Sequence, residues 1–133
     1  MPILTLELPL PDSPNRAPAH HMARHRWKRA YQRAAWIAAV AAAKPLRDPP
    51  PFVRVTAHMR VHIPRDDDNK HASLKFVLDA LRQSQKSRKW RGGLYSECGY
   101  FVDDDPKHLE LVNVSQEVNR KDKGLMLVLE WGE

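Results

Sequence analysis

Six carboxylates could do chemistry here. Asp66, Asp67 and Asp68 are consecutive in the stretch PRDDDNKHASLKFVLDAL, and Asp103, Asp104 and Asp105 form a second run. Crowded carboxylates repel, so a fold that unites the two runs needs a compensating cation. Oxygen ligands select hard cations, Mg²⁺ or Mn²⁺, and Mg²⁺ is commonly held by one or two carboxylates, waters and a substrate phosphate. The chain as a whole is basic, with 22 Lys and Arg against 16 Asp and Glu and a net charge of +6. Residues 1–47 carry all of that excess, with eight Lys and Arg against only Glu7 and Asp12. A cationic half beside an acidic site suits a polyanion cut at a metal, that is, hydrolysis of a nucleic-acid phosphodiester. The same runs also fit solvated turns, with Asp68 or Asn69 as a helix N-cap.

The elements that position these residues follow from periodicity. Residues 52–63 alternate, with Val53, Val55, Ala57, Met59, Val61 and Ile63 on one face and Arg54, Thr56, His58, Arg60 and His62 on the other. That pattern predicts a half-buried strand, which delivers Asp66 and Asp68 just past its end, where Pro64 stops pairing. A helix is expected over 69–84, because Leu74, Val77, Leu78 and Leu81 recur at helical spacing. Lys75 lies beside that stripe. It either reaches back toward Asp66 and Asp68 or makes a surface pair with Asp79.

Residues 3–8 read as a strand with Leu4, Leu6 and Leu8 on one side, followed by a proline-rich extended loop over 9–18. A long helix is expected over 21–43, with Trp27, Ala30, Tyr31, Ala34, Ile37, Ala38 and Ala41 as its apolar stripe. Its alanines allow close helix packing, within one chain or across a dimer. Arg24, Arg26, Lys28, Arg29 and Arg33 crowd its first half without an acid, which suits contact with phosphates. His20, His21 and His25 lack the further ligands of a zinc site and read as surface histidines. Residues 83–93 read as an exposed loop whose Lys86, Arg88, Lys89 and Arg91 surround Trp90, a set able to follow a nucleic-acid backbone and stack on an unpaired base. Residues 95–102 are expected to be extended, and 108–118 and 125–131 to be strands. The order gives an α+β fold of two layers, a mixed sheet of four to five strands with helices packed on it.

The pattern Asp66, Asp68, Asn69, then Leu74 and Lys75, then Leu78, Asp79, Ala80 and Leu81, then Asp103 and Asp104, resembles the RusA family of Holliday junction resolvases. The opening run Leu8, Pro9, Leu10, Pro11, Asp12, Ser13, Pro14, Asn15 is similar to that family's proline-rich start. The resemblance implies that Asp66, Asp68 and Asp104 hold Mg²⁺, with Mn²⁺ as a substitute, and that Lys75 is the essential lysine. It implies cleavage of a four-way DNA junction by a homodimer in the cytoplasm of a bacterium or phage-infected cell. Forks or flaps as substrates, and a non-catalytic branched-DNA-binding protein on the same scaffold, stay open as alternatives. The chain carries extra residues between Asn69 and Leu74, and more between Leu81 and Asp103, which makes 83–98 an insertion relative to the pattern.

At 133 residues the chain reads as a single domain. No run approaches a membrane span, the start lacks a signal-peptide pattern, and Cys98 has no second cysteine to pair with. These features point to an intracellular protein.

Overall fold

A computed structural model of the chain describes residues 2–13, 16–83 and 98–132. The predicted basic loop residues Lys86, Arg88, Lys89, Trp90 and Arg91 lie outside the described residues. Six elements follow in order: β1 (Ile3–Leu8), α1 (His21–Ala42), β2 (Val53–Val61), α2 (Asp67–Leu81), β3 (Leu109–Val118) and β4 (Gly124–Glu130). The strands form one mixed sheet in the order β1-β4-β2-β3. β4 is antiparallel to both β1 and β2, whereas β3 runs parallel to β2. A parallel pair needs a crossover, and α2 supplies it. The expected α+β architecture of two layers is therefore what the chain adopts.

The alternation in β2 sets the sheet's inner face. Val53, Val55, Ala57, Met59 and Val61 are buried, and the register aligns them with partners of the same kind. Leu6, Leu127, Ala57 and Val114, for example, lie opposite one another across all four strands. Ile63 was expected to share that face, but β2 ends at Val61 and Ile63 is exposed. Where β2 meets β3, the register shifts between Val55 and Thr56, which leaves Val112 bulged and 55% exposed. The outer face of the sheet is polar. His58 bonds both Ser115 Oγ at 2.7 Å and Glu117 Oε1 at 3.1 Å, and Arg60 reaches Glu7 at 3.0 Å.

On the inner face, α1 packs against α2 and β1. Its fully buried residues are Gln32, Ala35, Trp36 and Ala39, whereas of the expected stripe only Tyr31 and Ala38 pack against the core, partly buried. Ala30, Ala34 and Ala41 are exposed, and Ile37 is 59% exposed. The helix is turned by about one residue, or ~100°, from the expected orientation. Trp36 explains the turn, because its large ring is buried to 5% exposure and meets Tyr100 edge-on at 5.9 Å. Gln32 tolerates burial because its side-chain amide donates to the Phe76 carbonyl at 3.2 Å. Trp27 and Tyr31 strap the proline-rich loop to the helix, donating to Asp12 Oδ2 at 3.1 Å and to the Pro9 carbonyl at 2.8 Å. Burial pushes the Tyr31 hydroxyl well above its ordinary pKa, so it stays a neutral donor. Among the described residues no helix is long and apolar enough to cross a membrane.

The orientation of α1 has a direct test in chemical denaturation. Trp36→Ala should cost about 3–5 kcal/mol, whereas Ile37→Ala should stay within about 0.5 kcal/mol of the parent. Equal losses would place the sequence-predicted stripe inside.

Candidate active site

The first acidic run is built into the start of α2. Asp66 is the N-cap: Oδ1 accepts the Asn69 backbone N–H at 2.8 Å, and Oδ2 accepts the Asn69 side-chain amide at 3.4 Å. The cap thus falls earlier than Asp68 or Asn69, and the helix begins at Asp67. Asp67 pairs with Lys70 at 3.0 Å, and the hydrogen bond from Lys70 holds its carboxyl below the usual range. Lys70 also reaches the Val114 carbonyl at 3.4 Å, joining α2 to β3. Asp68 is exposed in the first turn, where the positive end of the helix favours all three carboxylates.

The second run is positioned by a different device. After the undescribed segment, Gly99 exchanges backbone hydrogen bonds with Leu46, both at 2.9 Å. Tyr100 N–H then donates to the Leu81 carbonyl at 2.9 Å, and Gln83 N–H to the Phe101 carbonyl at 2.7 Å. Residues 98–102, the described part of the expected extended piece, make isolated bridges at Gly99 and Phe101 and form no strand of the sheet, and 95–97 lie outside the described residues. A Cβ on Gly99 would fall against the Gln83 backbone, so this close approach requires glycine. Tyr100 and Phe101 are fully buried, and the Tyr100 hydroxyl donates to the Ala43 carbonyl.

This clamp sets Asp103 and Asp104 beside the second half of α2. Arg82 donates to Asp103 Oδ1 at 3.1 Å, and the same oxygen accepts the Asp104 N–H at 2.8 Å. Burial alone would raise the Asp103 pKa. The Asp104 backbone N–H, the Arg82 guanidinium and the Asp104 carboxyl outweigh it and hold Asp103 low. Asp104 is displaced upward, by burial first, then by hydrogen bonding to Asp103 and by the charge and hydrogen bond of Asp79. Asp105 stays in the turn, where Oδ1 accepts the Lys107 N–H at 3.1 Å. Lys28 of α1 stands 3.8 Å from Asp79 Oδ2, with its ammonium 5.4 Å from the centre of the Phe76 ring.

Lys75, His71, Asp79 and Asp104 share a cleft of about 470 Å³ with an apolar floor that includes Leu74 and Leu78. The structure therefore brings Asp104 and Lys75 together, with Asp79 as the second carboxylate. It leaves Asp66 and Asp68 at the other end of α2, since Asp79 lies about 18 Å along the axis from the first helical residue. Among the described residues, no three His, Cys, Asp or Glu side chains converge on a point that could hold a metal ion. The extra residues after Asn69 are helical, so they carry Lys75 away from Asp66 and toward Asp79. In the sequence nothing marks Asp79 as a ligand, because its visible partner there is Lys75 at i−4. The signal that could have flagged it is its place in the Leu-Asp-Ala-Leu motif, one residue from the buried stripe.

The basic residues of α1 are on its accessible sides: Arg24, Arg26, Arg29 and Arg33 are exposed and Lys28 is half-buried. Arg24 also ties back to the Ala19 carbonyl at 3.1 Å. His20 caps α1, with Nδ1 accepting the Met22 N–H at 3.3 Å, and stacks on His21 at 4.8 Å. No family model, curated protein or solved structure matches the chain.

Two measurements test these assignments. Asp66→Ala should lower stability by about 0.5–2 kcal/mol while Asp66→Ser, which can cap, should recover most of it. Equal losses would show that the carboxylate is not acting as a cap. For Asp104, a raised folded-state pKa means that stability falls as pH rises through it. Asp104→Asn should therefore raise Tm at pH 7, and the gain should vanish below about pH 4, where the native carboxyl is protonated as well. A pH-independent difference would mean that no charge repulsion acts there.

Proposed function

We propose that the chain is a Mg²⁺-dependent, structure-specific endodeoxyribonuclease that resolves four-way DNA junctions. The observation that carries this reading is the Asp79–Asp104 carboxyl pair, partly buried beside Lys75 and next to a cation-rich helix. Two carboxylates that repel each other at the edge of a cleft are a donor set that a hard cation relieves. Their oxygens fit Mg²⁺ or Mn²⁺, and Asp104 and Asp79 are the residues that would hold it. Asp66, which the RusA resemblance implies as a ligand, is engaged as a helix cap, and Asp68 stays with it at the helix start. A bound ion would supply an activated water and neutralise charge on the scissile phosphate.

The chain's own residues would do the rest. Arg82 neutralises Asp103, which stays hydrogen-bonded to Asp104, and Asp79 and Asp104 line the cleft. Lys75 can offer its ammonium to a non-bridging phosphate oxygen. Arg24, Arg26, Lys28 and Arg29 supply the attraction for a polyanion. Resolving a junction needs one cut on each of two strands, so two sites related by a two-fold axis, a homodimer, complete the reading. The capping role of Asp66 favours a second reading, in which a RusA-like scaffold binds branched DNA without cutting it.

A gel assay on a mobile four-way junction, a fork and plain duplex, with and without Mg²⁺, separates these readings. Cleavage of the junction should require Mg²⁺, and Asp79→Asn, Asp104→Asn and Lys75→Met should each abolish most of it while junction binding persists. Mg²⁺ should also raise the Tm of the parent but not of Asp104→Asn. Binding without cleavage at any Mg²⁺ or Mn²⁺ concentration would select the non-catalytic reading, and cleavage by Asp104→Asn would overturn the carboxylate assignment.

A further inference from the structure

Asp79 stands between two unlike neighbours. On one side is Asp104, whose pKa the charge and hydrogen bond of Asp79 help to raise. On the other is Lys28 of α1, with Nζ 3.8 Å from Asp79 Oδ2. A cation nearer in sequence is at hand, since Lys75 lies four residues before Asp79, the spacing of a helical ion pair. Yet among the described residues Lys75 takes part in none of the ion pairs. The ammonium that reaches Asp79 comes from the other helix.

The seat of that ammonium is built. Lys28 Nζ lies 5.4 Å from the centre of the Phe76 ring, a cation–π distance. Phe76 is set in turn by Trp27, which meets it edge-on at 5.5 Å, and by Gln32, whose amide donates to its carbonyl at 3.2 Å. The hold of Asp79 on Lys28 is light, because the lysine side chain is 40% exposed and 3.8 Å is long for a charge-assisted hydrogen bond. A pair of this kind exchanges partners at small cost. The oxygens of Asp79 would draw Mg²⁺ in to about 2.0–2.1 Å, and two cations on one carboxylate repel. Lys28 must then leave. Arg24, one turn before it, and Arg29, directly after it, are exposed, so a nucleic-acid backbone held by α1 offers the departing ammonium a phosphate.

We propose that Lys28 is a built-in competitor for the metal: its ammonium holds Asp79 in the free protein, and nucleic acid releases Asp79 by drawing Lys28 onto a phosphate. This role of Lys28 rests on the Mg²⁺ site of the function proposed above and adds to it an order of events, DNA before metal. Because linkage is reciprocal, DNA tightens metal binding by the same factor as metal tightens DNA binding. The free protein thus keeps a weak metal site, which strengthens where a substrate lies.

A Mn²⁺ titration of the protein without DNA, with free Mn²⁺ followed by electron paramagnetic resonance, tests the competition. Lys28→Met should bind Mn²⁺ about fivefold or more tighter than the parent, whereas Lys28→Arg, which keeps the charge, should bind it no tighter. Arg54→Met removes the same charge from the outer sheet face, where Arg54 pairs with Glu110 at 3.2 Å, and should leave the affinity unchanged. The release by DNA is read from the anisotropy of a labelled single strand at constant ionic strength, with and without Mn²⁺. Mn²⁺ should improve DNA binding by the parent relative to its effect on Asp104→Asn, and the improvement should shrink in Lys28→Met. Equal Mn²⁺ affinity in the parent and Lys28→Met would overturn the role of Lys28 and leave the metal site standing. An improvement just as large in Lys28→Met would overturn the release by DNA. No saturable Mn²⁺ binding by either protein would overturn the proposed metal site and the role of Lys28 together.

Discussion

Val53, Val55, Ala57, Met59 and Val61 lose almost all contact with water, so β2 must be paired on both edges and covered on its inner face. The three valines and Met59 each gain about 1.5–3 kcal/mol on full burial, enough for β2 to dictate where its neighbours go. β4 takes one edge and β3 the other, and α2 must bridge the top of the sheet to let β3 run parallel. The candidate site is a consequence. The carboxylate pair forms where α2, returning across the sheet, meets the segment that leads into β3.

The carboxylate pair is a local cost carried by that arrangement. Three acids, Asp79, Asp103 and Asp104, are brought close, and the fold answers with Arg82 on Asp103 and Lys28 on Asp79. The balance is incomplete, because Asp104 still holds its proton more tightly than an ordinary carboxyl. A purely structural cluster would gain by replacing Asp104 with a neutral side chain.

The sequence showed most of the sheet because strand alternation is a local signal. β1, β2 and the buried stripe of α2 were readable from every second or every third and fourth residue. The face of α1 was not, because two candidate stripes overlap on an alanine-rich helix. The choice between them was made by Trp36 against Tyr100, a contact between residues far apart in sequence. The start of α2 was ambiguous for a related reason: any of Asp66, Asp68 and Asn69 can cap, and the end of β2 decided which one does. The partnership of Asp79 with Asp104 was invisible, since it depends on Gly99 and Tyr100 docking the chain against the end of α2. The carboxylates that look alike in sequence therefore divide into a helix cap and a charged pair.

The pairing of β1 with β4 has a consequence for how the protein is made. β1 emerges during synthesis long before β4, its strand partner. At about 5–20 residues per second, roughly ten seconds pass before β4 can close the ladder. In that interval α1 can shelter part of the strand, since the two pack together, but the backbone donors and acceptors that β4 will take stay open. Such late, non-local closure makes for slow folding. Until β4 appears, β1 stays open to misassembly, and Pro9, which cannot donate to a ladder, bounds the open strand during that wait.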